Sequence, residues 1–235
     1  MKKILLILLI SFSLMSYGKS INGDQLQYRN GIYYEVNQNI PYTGEAIGYY
    51  ENGQIEEKLN YKNGKLNEEG IFYYENGQIK IEGNYKDGLE TGEWITYSEN
   101  GEIKLKMNYK NGLGVGEIII YYKSGKIELK GNLKNGELNG EGIRYYESGE
   151  IKLKAYYKDG LENREAITYY KSGKIKLKMN FKDGKLNGEW FSYYENEQIE
   201  VRGNFKNGKM NGEHIYYYGN GQIKGKENFK DGVKY

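Results

Sequence analysis

From Gly44 onward the chain repeats itself every 24 residues, eight times, without an insertion or a deletion. Tyrosine recurs at Tyr49, Tyr73, Tyr97, Tyr121, Tyr145, Tyr169, Tyr193 and Tyr217. Isoleucine recurs from Ile55 to Ile223 and lysine from Lys62 to Lys230, with a glycine two residues beyond each lysine, from Gly64 to Gly232. A unit this short cannot enclose a core of its own. It must bury its apolar side against identical neighbours, which makes the whole chain a one-dimensional array.

Inside a unit the pattern is strand, turn, strand, turn. In Gly92 to Asn111, Ile95 and Tyr97 alternate with Thr96 and Ser98; after Glu99-Asn100-Gly101 come Ile103, Leu105, Met107 and Tyr109, alternating with polar residues. A period of two marks half-buried strands. With Gly at 33, Tyr at 27 and Pro at 1, the composition supplies tight turns and strand-favouring aromatics, and does not read as a flexible linker.

The first turn is predicted to be a three-residue loop, Glu51-Asn52-Gly53, because this register places Tyr49 opposite Ile55 and Ile47 opposite position 57, with every apolar column on one face. A type I turn closed by a left-handed glycine needs only that glycine, which suits the copies reading Ser124-Gly125, Ser148-Gly149 and Ser172-Gly173. Glu197 replaces the glycine once, so that turn is expected to be strained or remodelled. The fold class is therefore all-β: an elongated, single-layer antiparallel meander of tandem hairpins. About sixteen repeat strands at ~4.8 Å spacing give a sheet roughly 75 Å long. Glu57 in the first copy and Gly225 and Glu227 in the last interrupt apolar columns and read as polar caps on the array.

Residues 1–18 differ from the rest: Lys2 and Lys3, an apolar run from Ile4 to Met15, then Ser16 and Gly18 have the form of a secretory signal peptide cleaved after Gly18. The apolar run is short for a bilayer span. Three segments follow: residues 1–18 as leader, 19–43 as lead-in and cap, and 44–235 as the repeat array. The expected location is exported: periplasm, cell surface or medium. The chain has 34 Lys+Arg against 32 Asp+Glu, and loss of Lys2 and Lys3 leaves 32 against 32. A mature chain with no net charge has no overall attraction for nucleic acid. With Cys at 0, there is neither a disulfide framework nor a cysteine for lipid attachment.

The runs Ile81 to Gly88 (IEGNYKDG), Gly208 to Glu213 (GKMNGE) and Tyr73 to Ile79 (YYENGQI) resemble the membrane occupation and recognition nexus (MORN) repeat in its bacterial variant form. The stretch Gly31 to Ala46 resembles the lead-in that bacterial members carry. The resemblance implies an elongated, twisted single-layer sheet acting as an interaction module toward protein or membrane lipid. Relatives described as antitoxins add a third reading, an immunity-type partner of a toxin. Three residues depart from the repeat: Glu68 and Arg164 stand where it has glycine, and Leu133 replaces an aromatic, so those copies are expected to kink or pack less closely.

Site chemistry is sparse. The one histidine, His214, occupies a position filled elsewhere by Trp94, Trp190, Ala46 or Gly142, which assigns it to strand packing; neither a nucleophile–base pair nor a zinc set can be assembled around it. Glu45, Glu69, Glu93, Glu117, Glu141, Glu165, Glu189 and Glu213 recur in every copy, whereas a catalytic carboxylate pair is a unique feature. The Asn-Gly and Asp-Gly pairs lack the acidic spacing of calcium loops, and the glycines lie at hairpin spacing, not phosphate-loop spacing. No cofactor, metal or enzymatic activity is expected. Two repeated columns offer binding. Tyr50, Tyr74, Tyr122, Tyr146, Tyr170, Tyr194 and Tyr218 form an aromatic row on the polar face. Lys62, Lys86, Lys110, Lys134, Lys158, Lys182, Lys206 and Lys230 form a cationic one suited to anionic lipid or glycan. The leading expectation is an exported scaffold for another protein, including a second copy of itself. Envelope lipid or glycan binding through the two columns is the alternative.

Overall fold

The computed structural model describes residues 19–235; the leader and its cleavage point lie outside the described residues. Consecutive hairpins form one open sheet of 21 strands, antiparallel from Gly44 onward. Its first strand, β1 (Lys19–Asn22), adds in parallel to the edge of β4 (Gly44–Tyr49). A separate hairpin, β2 (Leu26–Arg29) and β3 (Ile32–Glu35), follows a single 3-10 turn at Gly23–Gln25. The all-β, single-layer array read from the repeat is the observed architecture.

The two turns of each unit differ, and their chemistry explains why. Between β4 and β5 (Ile55–Lys62) the Tyr50 N–H donates to the Gln54 carbonyl and the Gly53 N–H to the Tyr50 carbonyl, which closes a three-residue loop with Gly53 at φ +81°. That is the predicted turn. Between β5 and β6 (Lys65–Tyr73) the loop has two residues, Asn63 at φ +51° and Gly64 at φ +74°. Two consecutive positive φ values define the type I′ turn, and Asn-Gly or Asp-Gly supplies it in every copy. Each of these turns also bonds to its neighbour: the Gly88 N–H donates to the Leu66 carbonyl at 2.8 Å, and the Gly112 N–H to Glu90 at 3.0 Å.

The register departs from the expectation in one respect. Tyr49 does lie opposite Ile55, but Gly48 then lies opposite Glu57 and Ile47 opposite Lys58, because Glu56 is an extra residue in the ladder. The same bulge recurs in every copy; Phe72 pairs with Ile81 and Tyr73 with Ile79, for example. One inserted residue inverts the alternation beyond it, so the apolar columns do not share a face. Glu45, Ile47, Tyr49, Ile55, Lys58 and Asn60 lie on one side; Ala46, Gly48, Glu57, Leu59 and Tyr61 lie on the other.

The second side holds the core, because there large rings meet glycines. The inner position runs Ala46, Gly70, Trp94, Ile118, Gly142, Ala166, Trp190 and His214 along the array. A methyl group on Gly83 would fall inside the Trp94 ring, and one on Gly203 inside the His214 ring. Trp94 is held edge-on by Tyr85, with centroids 5.0 Å apart, and by Tyr109 at 5.9 Å. Large against small lets a single layer bury side chains without a second sheet.

The largest buried cluster is at the N-terminal end. Ile21, Tyr42, Ala46, Leu59 and Tyr61 are buried together, with Leu26, Tyr33, Leu66, Phe72 and Tyr85 packed around them. The Tyr42 hydroxyl donates to the carbonyls of Lys19 and Glu45 at 2.6 and 2.7 Å, which ties the lead-in to the first hairpin. Glu57 is half-buried, so it does not act as an exposed polar end. Burial first, then the neighbouring Glu56 charge, raises its carboxyl pKa. At the other end Ile223 and Val233 are 56% and 69% exposed, and the array presents them to solvent.

Candidate functional site

The tyrosine column begins where each three-residue loop begins, and its rings reach the next unit. The Tyr50 hydroxyl donates to the Tyr73 carbonyl at 2.6 Å, Tyr74 to Tyr97 at 2.8 Å and Tyr122 to Tyr145 at 2.6 Å. Tyr146, Tyr170 and Tyr194 repeat the contact with Tyr169, Tyr193 and Tyr217, at 2.7, 2.7 and 2.9 Å. These are fastenings between successive hairpins, and the rings are half-buried. Tyr218 makes no such bond among the described residues and is 50% exposed. In the third copy the tyrosine is replaced by Ser98, whose hydroxyl bonds within its own turn, to Asn100 and to the Glu102 carbonyl at 3.0 Å. Burial, followed by nearby glutamates, raises the pKa of Tyr50, Tyr122 and Tyr170.

Lysines flank the same rings. Lys80 Nζ lies 5.7 Å from the Tyr74 centroid, Lys152 5.7 Å and Lys171 6.0 Å from Tyr146, Lys176 5.5 Å from Tyr170 and Lys224 5.9 Å from Tyr218. This edge of the ribbon is amphipathic, with aromatic surface under cations.

The lysine column Lys62, Lys86, Lys110, Lys134, Lys158, Lys182, Lys206 and Lys230 lies elsewhere. Each is exposed and immediately precedes a two-residue turn. Lys62 lies opposite Lys65, Lys182 opposite Lys185 and Lys206 opposite Lys209, so like charges gather at that edge. The eight-residue strand Ile55–Lys62 separates the two edges. At ~3.3 Å per residue that is about 25 Å, so the columns form two separate margins and not one site.

The remaining candidates have structural surroundings. His214 has 0% exposure, and Phe205 and Phe229 meet its ring edge-on at 5.9 and 4.9 Å. Neither ring nitrogen has a hydrogen-bond partner, so the imidazole serves here as an aromatic wedge above Gly203. The repeated glutamates pair loosely with cations across the ladder: Glu117 with Lys130 at 3.9 Å, Glu189 with Arg202 at 3.7 Å, and Glu213 with Lys226 at 3.1 Å. Exposed pairs of this kind contribute little to stability. Among the described residues no three His, Cys, Asp or Glu side chains gather as metal ligands would.

One constellation was not found by reading columns, because it consists of two breaks in them. Tyr156 stands where the other seven copies have asparagine, and Arg164 where six others have glycine. The Arg164 guanidinium carbon lies 4.4 Å above the Tyr156 ring. Comparing the copies column by column, for two departures eight residues apart in adjoining units, is the signal that would have found it.

No curated protein matches the chain. The MORN repeat variant family matches it eight times, over residues 42–63, 68–87, 90–111, 115–135, 138–159, 165–183, 186–207 and 210–231. Each match falls on one hairpin unit, and together the eight span well over half of the chain. With the hairpins, their bulge and their turns repeating in the same phase, the chain belongs to the MORN repeat variant family.

Proposed function

We propose that this protein is an exported, non-enzymatic scaffold that binds another protein along its ribbon. The observation that carries the reading is the single layer. Ile71, Ile95, Ile119, Ile143 and Ile167 remain half-buried on the face opposite the ring-filled core, with Glu82, Lys106, Lys130, Lys154 and Lys178 across from them. Along this row each isoleucine alternates with a charged residue of the intervening strand, and such a mixed apolar and charged strip, repeated at constant spacing, suits an extended protein partner better than a small molecule. The tyrosine row has its hydroxyls committed between hairpins, which favours a mainly architectural part for it.

Crosslinking of the exported protein, followed by mass spectrometry, tests the partner. Placing lysine at Ile95, Ile119 and Ile143 together should abolish the crosslinked species and leave the strand signature in circular dichroism intact. A protein that stays monomeric and uncrosslinked before any substitution would remove the reading. Export is tested by N-terminal sequencing of the mature chain, which should begin at Lys19.

A further inference from the structure

We infer that the cavity spanning the fourth repeat to the start of the sixth binds an acidic sugar. Eight near-identical units serve as one another's controls, and this is where two of the most constant columns change together. In two of the other copies the small asparagine at this place bonds beside the bulge of the adjoining strand: Asn60 Nδ2 donates to the Glu69 carbonyl at 2.9 Å, Asn180 to Glu189 at 3.0 Å. Tyr156 replaces that asparagine, and Arg164 occupies the bulge itself at φ +75°. A β-carbon at positive φ costs about 1–2 kcal/mol, and backbone strain of this kind gathers at sites that use it. Glu68 has the same geometry at φ +69° but keeps an asparagine, Asn60, at the place that Tyr156 takes beside Arg164.

The strained arginine lines a surface cavity of about 490 Å³ with Lys134, Asn139, Tyr156, Lys158, Asp159 and Asn163. That volume lies within the range of small-ligand sites. Lys134 and Lys158 belong to the column that recurs in every copy, and here they share a cavity with a third cation. Among the described residues Lys134, Lys158, Arg164 and Asp159 make no ion pair. Three cations against one carboxylate leave the cavity electropositive. The guanidinium, its carbon 4.4 Å from the Tyr156 ring centroid, presents a planar fork suited to a carboxylate. The rest of the lining is mixed: Asp159 accepts a 3.4 Å hydrogen bond from Asn139 Nδ2, and Asn163 adds an amide. An accepting carboxylate beside two amides opposes a bare oxyanion but suits hydroxyl groups. A ligand with one carboxylate and several hydroxyls meets both requirements, and a uronic acid is the simplest such sugar. Tyr156 acts as a positioning residue by holding Arg164.

The test is an amide NMR titration of the full folded chain with D-glucuronate, with D-glucose and inorganic phosphate in parallel. Saturable shifts confined to Asn139, Tyr156, Asp159, Asn163 and Arg164 are expected, with glucose and phosphate each at least tenfold weaker. Arg164→Gly restores the residue that the backbone prefers, so it should raise the thermal midpoint while weakening glucuronate at least tenfold. Lys134→Gln should weaken it without changing the midpoint. Shifts spread evenly along the lysine column would overturn the assignment, as would phosphate matching glucuronate, unchanged affinity in Arg164→Gly, or no binding. Protein crosslinking that persists in Arg164→Gly keeps this result separate from the scaffold reading.

Discussion

Among the described residues, three adopt a left-handed backbone without being glycine, asparagine or aspartate: Glu68, Arg164 and Glu197, at φ +69°, +75° and +69°. The turn at Glu197 is not remodelled. The Glu197 N–H still donates to the Tyr194 carbonyl at 2.9 Å, as Gly53 does to Tyr50. The expected disturbance is therefore stored as backbone strain and not relieved by a new turn. Glu197→Gly should stabilise the protein by about 1 kcal/mol, read as a higher urea midpoint with an unchanged slope. The opposite holds where glycine makes room for a ring. Gly83→Ala places a methyl group inside the Trp94 indole and should destabilise by roughly 1–3 kcal/mol. Adding Trp94→Gly should recover part of that loss in a double-mutant cycle, since the clash disappears with the ring. Glycines that supply a positive φ were legible from turn chemistry. Those that sit under a ring were not, because the ring belongs to another strand.

At the scale of the hairpin, two devices join one unit to the next: the turn glycine N–H and the tyrosine hydroxyl. The hydroxyl's target is a backbone carbonyl 23 residues onward, and no side-chain pattern records it. Removing one, as in Tyr146→Phe, should cost about 0.5–1.5 kcal/mol by thermal denaturation. The converse is available at the gap in the row. Ser98→Tyr should gain a bond to the Tyr121 carbonyl and raise the melting temperature; no change would mean that the Ser98 contacts with Asn100 and Glu102 are worth as much. The three-residue loop could be read from the sequence because serine rejects the alternative turn. The bulge at Glu56 could not, since a bulge exists only relative to the strand it faces. The Tyr156–Arg164 pair stayed unread for the same reason: the residues meet only across the strand pairing.

Over the whole molecule, burial is uneven, and so is the response to pH. Burial raises Tyr42 to about 12, with Glu35 and Glu45 adding to it; burial also raises Tyr85 to about 12, as it does Tyr97, helped by the Glu82 hydrogen bond. Tyr61 is raised further, by burial first and then by Tyr33 and Glu57 beside it. Their folded values lie above the unfolded value of 10.0, so the folded chain holds these protons longer than the unfolded one. Stability is then unaffected below about pH 10 and is lost as pH rises toward 12. A base titration followed by circular dichroism should show unfolding in that window. The sequence by itself determined that this chain is an array of β-hairpins, because a 24-residue unit with period-two apolar columns and glycine at turn spacing has no other way to bury its apolar side. The tertiary structure alone decided which face is the core, where the units fasten and which two exceptions touch. Each of those depends on the pairing of strands from different parts of the chain, and a single inserted residue is enough to invert it.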